Sequence, residues 1–474
     1  MILAAAMLFS CTGTGESGTQ KGKDDLSGSD SDSGSGQVSV STVDRIADAR
    51  AASEQALAAV QMGDFDGMSF IVTCTSQTKM FGEYEEATLI SQERYLRMEA
   101  LGTRLNLSII QTEAEIESIR QGLKNEKNSG MIYTHLLLVD ARDIGGLHYS
   151  NLIGNVGSLP FVDLSKPYYD AEFCDEMRTP SGLYALWGDA CRDYDSLMCV
   201  FYNDTLRSEL EIEELDALAR SGAWTYDKMV EYAKLAAAST TDENAVYGIL
   251  NADSDKFFRS AFVAAGMDSV SLSGKTLSVN DNTKLGNSLV ESIKGIIDSG
   301  AYTAGDVVDK ISEDVFFDGD GLFFISSLGV TKSIFNMKDV WGLLPIPVIA
   351  EGDGYAAPLT KKTSVICYPR SASDLNEIGI FVESLFACSY KVLDAAYYDT
   401  YFHSYVRNQD TYDMLKLVLG DIRGDFALCY SDEFTNYSKG TFDAFVSACW
   451  GNTSYSSIFN NNRAAANRSL AYVG

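Results

Sequence analysis

The sequence predicts an α/β protein whose chain is divided between two lobes, each a sheet flanked by helices. The chain has 474 residues, too many for one ordinary domain. Strand-like apolar runs and helical segments alternate from 68 to 156, as in βαβ units with a mainly parallel sheet. Two further segments, within 158–235 and at 341–348, can carry the chain from one lobe to the other. A cleft between two lobes is a common place for a small-molecule site.

The composition favours a folded protein and argues against a polyanionic partner. The chain is 46% hydrophobic and 22% charged, which is typical of globular proteins. Its net charge is −29, with 66 acidic and 37 basic residues. Because nucleic-acid phosphates are bound by Lys and Arg, nucleic acid is not expected as a partner. None of the nine cysteines forms a CxxC pair and several lie in apolar runs, so buried free thiols are expected and a disulfide stays open.

Residues 1–11 resemble a signal peptide that ends at a lipidation site. Ten apolar or small residues precede Cys11, about the length of a secretory apolar region and too short to span a bilayer. The tetrad Leu8-Phe9-Ser10-Cys11 resembles a bacterial lipobox, in which the Cys is lipidated, although no Lys or Arg precedes it. Residues 12–61 follow as a disordered Gly/Ser/Asp tether and a short helix. The alternative is an apolar N-terminus with an incidental Cys.

The first lobe is predicted from strands and helices that alternate along the chain. Strands are predicted at 68–75, 105–111 and 131–140, and helices at 85–101, 113–123 and 147–156. The third of these strands is nearly all apolar. Such a run is typical of a parallel strand that is covered on both faces.

The second lobe is predicted from the shorter elements after residue 203. Helices are predicted at 209–221, 225–238, 257–265 and 287–299, and strands at 246–250 and 321–327. Thr225 is placed to cap its helix, and Asp227 suits the dipole of the first turn. Pro345 and Pro347 keep 341–348 extended. A strand at 363–368, a helix at 374–386 and a helical remainder complete the chain.

Several segments, taken in order, resemble the family 1 extracellular solute-binding proteins of ABC importers, the group that includes maltose-binding protein. They are Leu164–Tyr169 (LSKPYY), Leu183–Asp189, Tyr202-Asn203-Asp204, Gly222–Lys228 (GAWTYDK), Leu322–Gly329, Trp341–Val348 and Ala395–Tyr401 (AAYYDTY). The resemblance spans roughly 64 to 434. No single segment is diagnostic, and the order and spacing carry the resemblance.

The resemblance implies a two-lobed periplasmic-binding-protein-like fold of type II, joined by hinge crossings. Lobe 1 would comprise 62–190 and 345–395, and lobe 2 would comprise 191–344 and 396–474. The crossings would fall near 189–197 and 345–348. The implied protein is a monomeric, lipid-anchored receptor on the outer face of the cell membrane. It binds a small polar solute, most simply a carbohydrate, and delivers it to an ABC permease and ATPase on separate chains. No cofactor or metal is implied.

Two features depart from the family pattern. An extra helix precedes the first strand. The apolar Leu328 also lies where sugar-binding members commonly present an aromatic ring, which weakens an oligosaccharide assignment.

The candidate ligand contacts lie at strand ends and in the crossings, where open α/β sheets present their sites. They are Trp187, Asp189, Arg192, Asp193, Tyr194, Asp195, Ser326, Ser327, Thr75, Ser76, Gln77, Tyr397 and Tyr398. Each has a structural alternative. Trp187 is equally compatible with a packing role, Arg192 with an ion pair to Asp193 or Asp195 at the hinge, and 75–77 with a simple turn.

No motif in the sequence supports catalysis. HExxH, GxSxG, P-loop and Rossmann glycine patterns are absent, and His, Cys and carboxylates do not group at metal-ligand spacing. The pair Asp193/Asp195 could in principle serve a glycosidase, but this pair alone does not indicate an enzyme. The expected function is therefore a binding protein and not an enzyme. The alternatives are a cell-surface sensor or adhesion lipoprotein on the same fold and, less favoured, a carbohydrate-active enzyme.

Overall fold

The computed structural model describes residues 42–76, 79–82, 88–241, 244–307, 310–404 and 409–473. The strands are β1 (Met68–Cys74), β2 (Leu107–Glu113), β3 (Leu136–Asp140), β4 (Met198–Asn203), β5 (Tyr247–Asn251), β6 (Val270–Ser273), β7 (Thr276–Val279), β8 (Tyr302–Ala304), β9 (Gly321–Ser327), β10 (Trp341–Leu344), β11 (Ala357–Pro358), β12 (Ser364–Cys367) and β13 (Ile422–Arg423).

The longer helices surround the sheets, and short ones connect them. They are α1 (Thr42–Ala58), α2 (Leu89–Leu105), α3 (Ile116–Ser129), α4 (Ile144–Tyr149), α5 (Ala171–Glu176), α6 (Asp204–Glu209), α7 (Leu215–Ser221), α8 (Tyr226–Ala238), α9 (Ser254–Ala264), α10 (Thr283–Ile297), α11 (Ser312–Phe317), α12 (Thr331–Ile334), α13 (Leu375–Ser389), α14 (Val392–Ser404), α15 (Gln409–Val418), α16 (Ala427–Tyr430), α17 (Thr435–Gly440), α18 (Phe442–Trp450) and α19 (Tyr455–Leu470).

The first sheet has the strand order β12-β3-β1-β2. Strand β1 runs parallel to β2 and β3, and β12 runs antiparallel to β3. On β1 the alternate side chains of Phe70, Val72 and Cys74 are fully buried, as expected for a strand that packs on helices. The start of β12 pairs with the end of β3, so 360–364 and 140–142 lie at the same edge of this sheet.

The second sheet has the strand order β10-β4-β9-β5-β8. Strand β9 is parallel to β5, and β4 is antiparallel to both β9 and β10. The GLFFISS run forms β9 over the predicted residues, and its first five residues are buried. The carboxyl ends of β9 and β5 therefore lie at one edge, which ends in Ser326, Ser327 and Asn251. The two sheets with their helices are the two lobes described below.

Local contacts fix the second crossing against α8. Thr225 caps this helix as predicted, and its side chain accepts a hydrogen bond from the Lys228 amide at 3.3 Å. The buried Trp224 donates from Nε1 to the Pro345 carbonyl at 3.0 Å, and the Tyr226 amide donates to the Val348 carbonyl at 3.1 Å. Trp224 is fully buried, so it has a structural role. These bonds hold the chain where it leaves the second sheet.

Helices α1 and α14 pack on α2 and on each other. Arg104 of α2 donates to the Leu57 carbonyl at 2.9 Å, which fastens the end of α1. Arg45 of α1 pairs with Asp399 of α14 at 3.1 Å. The predicted lobe division after 395 falls inside α14, whose Tyr397 contacts Arg94 of α2. We therefore propose to place the whole of α14 with the first lobe.

Several sequence expectations need correction. The predicted helix at 147–156 ends at Tyr149, because Asn151 has a left-handed backbone (φ 56°) that a helix cannot contain. The predicted helix at 209–221 is helical only over α7, because α6 ends at Glu209 and Glu211 has φ 56°. The hairpin of β6 and β7 was not predicted, since its strands alternate Ser with apolar residues over only four positions each.

The cysteines of the described residues are buried with free thiols, as predicted. They are Cys74, Cys174, Cys191, Cys199, Cys367, Cys388, Cys429 and Cys449. Burial raises their pKa values, which keeps the thiols protonated and unreactive at neutral pH. Among the residues that the structure describes, no helix is both long enough and apolar enough to span a bilayer.

Candidate functional site

A cavity of about 290 Å³ lies where strand ends of both lobes meet. Its lining combines the chain just after β3, the first turns of α9 after β5, and the segment that leads into β12. The lining residues are Arg142, Asp253, Asp255, Lys256, Arg259, Ser260, Leu359, Thr360, Lys361, Lys362 and Asp432. The outer edge of carboxyl strand ends is where open α/β sheets bind their ligands.

The first-lobe wall is held by the pairing of β3 with β12. Arg142 follows Asp140, the last residue of β3, and pairs with its carboxylate at 3.2 Å. The Ala141 amide donates to the Thr363 carbonyl at 2.8 Å, which fixes this turn against the β12 segment. Burial raises the pKa of Asp140, and the nearby charges of Lys79 and Arg142 act in the opposite direction.

The second-lobe wall is the start of α9. Asp253 caps this helix by accepting a hydrogen bond from the Lys256 amide at 3.0 Å, and its carboxylate also pairs with the Lys256 ammonium at 3.0 Å. One turn further on, Arg259 and Ser260 face the same cavity. The guanidinium of Arg259 lies 3.9 Å from the centre of the Phe442 ring, which holds it in a stacked position.

The segment 359–362 closes the cavity between the two walls. The Leu359 amide donates to the Arg423 carbonyl at 2.8 Å, and the Thr360 amide donates to Thr363 Oγ1 at 3.2 Å. The Lys361 ammonium reaches across to Asp432 at 2.5 Å. Hydroxyl, ammonium and guanidinium groups therefore converge on one volume, an arrangement that can bind a small polar molecule.

The structure places the polar residues of the first crossing in an internal network. Trp187 is 1% exposed, and the Arg192 guanidinium stacks 4.4 Å from its ring. Arg192 also pairs with Asp189 at 3.3 Å and with Asp394 of α14 at 3.5 Å. Burial, and next the charge of Asp394, raises the pKa of Asp189. The Tyr194 hydroxyl donates to Asp394, so the crossing is tied to α14.

Asp193 and Asp195 extend this network to other elements. Asp193 accepts a hydrogen bond from the Tyr397 hydroxyl at 2.9 Å and pairs with Lys79 at 3.4 Å. Burial alone would raise the pKa of Asp193, but Arg94 and Lys79 outweigh it, and the pKa lies below its ordinary value. Asp195, which is more exposed, pairs with Lys332 at 2.6 Å.

The remaining predicted contacts are divided between the ends of β1, β9 and α14. Thr75 and Ser76 follow β1, and Ser326 and Ser327 end β9; all four are half-buried. Tyr398 is also half-buried, 6.0 Å beneath the Arg45 guanidinium, and Tyr397 is buried. Gln77 and Cys11 lie outside the described residues.

Some of the predicted contacts thus come together in space, and others do not. Trp187, Asp189, Arg192, Asp193, Tyr194 and Tyr397 come together around the first crossing, and the serines and threonine lie at separate strand ends. None of the predicted contacts lines the cavity described above. A direct role for them in ligand binding stays a prediction.

Sequence reasoning missed the charged residues of the cavity. Arg142 had a usable signal, because it follows the all-apolar third strand at the end where ligands bind. The sequence around Lys256 and Arg259 is typical of the solvated face of an amphipathic helix. The sequence at Lys361 and Lys362 is typical of a charged turn. No local pattern in the sequence separates them from other surface charges.

Solved structures share the fold of this chain, whereas no protein-family model and no curated protein matches its sequence. The galacto-N-biose/lacto-N-biose I-binding protein of an ABC transporter from Bifidobacterium longum, in complex with lacto-N-biose, is 14% identical with a TM-score of 0.58. The match covers 87% of this chain and 99% of that one. The cyclic α-maltosyl-1,6-maltose binding protein from Arthrobacter globiformis is 13% identical, with a TM-score of 0.58 over 85% of this chain and 99% of that one.

A third similar structure holds a different kind of ligand. UgpB from Mycobacterium tuberculosis, in complex with glycerophosphocholine, is 12% identical with a TM-score of 0.52, over 85% of this chain and 98% of that one. Together these similarities confirm the predicted fold class, a two-lobed α/β fold of the periplasmic-binding-protein type. At such low identity the fold does not decide the ligand, which must be argued from the site.

Proposed function

We propose that this chain is the substrate-binding component of an ABC importer, which captures a small polar solute, in the simplest case a carbohydrate, between its lobes. The observation that carries the proposal is the cavity, which is lined from both lobes at the carboxyl ends of β3 and β5. The shared fold supports it, because two of the similar structures are named as saccharide-binding proteins, one of them of an ABC transporter, and the third is in complex with glycerophosphocholine.

The proposed mechanism is closure of the two lobes around the solute. Arg142 and Lys361 contact the ligand from the first-lobe side, and Arg259 and Ser260 contact it from α9. A ligand that bridges both walls binds the closed form more tightly than the open form and shifts the population towards closure. The closed form would then be the one that the permease recognises.

We further propose an extracytoplasmic position with a lipid anchor at Cys11. The support is the lipobox-like tetrad Leu8–Cys11 and the Gly/Ser/Asp-rich run after it, which suits a tether between a membrane surface and the folded body. The permease and the ATPase would be separate chains.

The proposal is tested by thermal-shift screening of the purified protein against sugars, polyols and peptides, followed by small-angle X-ray scattering with each hit. A ligand that binds the folded state raises Tm by mass action, by RT ln(1 + [L]/Kd) in free energy. The expected result is at least one hit that also lowers the radius of gyration. If no member of the panel raises Tm or compacts the protein, the binding-protein proposal fails.

A further inference from the structure

The lining of the cavity has more cationic than acidic side chains although the protein is strongly acidic. Its lining holds Arg142, Lys256, Arg259, Lys361 and Lys362 against Asp253, Asp255 and Asp432, in a chain of net charge −29. Charges are screened beyond about 8–10 Å at physiological salt, so a ligand inside the cavity responds to the lining more than to the whole protein. The local field therefore favours an anion.

Two of these cations have no carboxylate within ion-pair distance among the described residues, although Asp443 acts on Arg259 and Asp140 acts on Lys362 from further away. Arg142, Lys256 and Lys361 have carboxylate partners at 3.2, 3.0 and 2.5 Å. Arg259 and Lys362, in contrast, form no ion pair with any carboxylate of the described ranges.

Arg259 is the better defined of the two unpaired cations. Its guanidinium lies 3.9 Å from the centre of the Phe442 ring, and its buried Nε has no hydrogen-bond partner among the described residues. A planar guanidinium with free donors matches the two oxygens of a carboxylate or a phosphate. Lys362 lies across the cavity on an exposed turn and adds a flexible point charge.

The lining also lacks what a neutral sugar commonly uses. No aromatic ring is among the described residues that line the cavity, so stacking against the face of a neutral sugar has no partner there. Ser260 and Thr360 provide hydroxyls for a polar ligand. The volume lies near the lower end of the roughly 300–1,000 Å³ usual for small-molecule sites, which suits a short ligand.

We propose that the captured solute is an acidic sugar, whose carboxylate or phosphate is bound by Arg259 and Lys362 while Ser260 and Thr360 contact its hydroxyls. This inference rests on the proposed function and narrows its ligand class. Arg259 and Lys362 can bind either a carboxylate or a phosphate, and the titration described next distinguishes these two groups.

The test is calorimetric titration of the full-length protein with D-glucuronate, D-glucose 6-phosphate, D-glucose and inorganic phosphate. At least one acidic sugar should bind, and D-glucose and inorganic phosphate should bind at least about tenfold more weakly. Whichever of D-glucuronate and D-glucose 6-phosphate binds more tightly identifies the anionic group of the solute as a carboxylate or a phosphate. Binding of D-glucose without binding of either acidic sugar would overturn the acidic-sugar inference and leave the proposed function intact. If none of the four solutes binds, the acidic-sugar inference fails, and the proposed function is decided separately by the broader thermal-shift panel.

Two variants and a matched control connect the binding to the residues. Arg259→Met and Lys362→Met should each weaken acidic-sugar binding by about tenfold or more, because each removes a charged donor. Arg463→Met is the control, since Arg463 also lies over a ring, that of Phe459 at 5.7 Å, but outside the cavity. Lys362 is exposed, so its variant tests the inference even if Arg259→Met fails to fold. Unchanged affinity in Lys362→Met and in a folded Arg259→Met would overturn it, as would inorganic phosphate binding as tightly as the sugar phosphate.

Discussion

The buried carboxylate of Glu383 should be a major local contributor to the stability of the first lobe. Glu383 lies on α13 and is 4% exposed. It accepts hydrogen bonds from the Tyr168 hydroxyl, from the Tyr169 hydroxyl at 2.7 Å and from the Asp163 amide at 3.1 Å. Burial raises the pKa of both phenols, so both remain donors at neutral pH. This cluster fastens the LSKPYY segment to the body of the lobe.

The three hydrogen bonds to Glu383 determine how much stability is lost when this residue is substituted. Glu383→Gln replaces one acceptor oxygen by a donor, so at least one charge-assisted hydrogen bond is lost, which costs about 1.5–3 kcal/mol. Glu383→Leu removes all three acceptor contacts and leaves two buried hydroxyls unpaired. Because the Leu side chain also avoids burying a charge, we expect a net cost of about 3–5 kcal/mol.

Urea denaturation followed by circular dichroism measures both costs. With a slope of about 3 kcal/mol per M, a loss of 2 kcal/mol lowers the midpoint by about 0.7 M. Glu377→Gln on the same helix is the matched control, because Glu377 is only half-buried. Adding Tyr168→Phe and Tyr169→Phe to Glu383→Leu should recover part of the loss. A midpoint for Glu383→Gln that matches the control would refute the reasoning.

Two further predictions concern pH and location. Burial raises the pKa of Glu176 from 4.5 to about 9, with Asp425 adding to it, so the folded state keeps a proton that the unfolded chain loses above pH 4.5. The free energy of unfolding therefore falls as pH rises through this window, and Glu176→Gln should raise Tm more at pH 8 than at pH 5. Glu209 is exposed, so Glu209→Gln should shift Tm equally at pH 5 and pH 8. If Glu176→Gln also shifts Tm equally at the two pH values, the prediction is contradicted. Cys11→Ser should move the protein from the membrane fraction to the soluble fraction in a bacterial host, and retention with the membrane would count against the anchor.

The sequence was informative wherever structure depends on neighbours along the chain. The apolar run 321–327 became β9, and Thr225 became the cap of α8, because strand burial and capping are set by adjacent residues. The order of segments also predicted the two-lobed fold. Errors appeared where a single backbone conformation interrupts a helical pattern, as at Asn151 and Glu211.

What the sequence determined by itself was therefore the architecture, whereas only the tertiary structure brings together the charged residues of the candidate cavity. Arg192 and Asp193, two of the predicted ligand contacts, interact with Asp394 and Tyr397 in the fold, and their role in ligand binding stays a prediction. Arg142, Arg259 and Lys362 are distant in sequence, and only the meeting of two sheet edges brings them to one cavity. The physical reason is that periodicity reports which face of an element is buried, whereas a binding site depends on charges from separate elements that no local pattern relates.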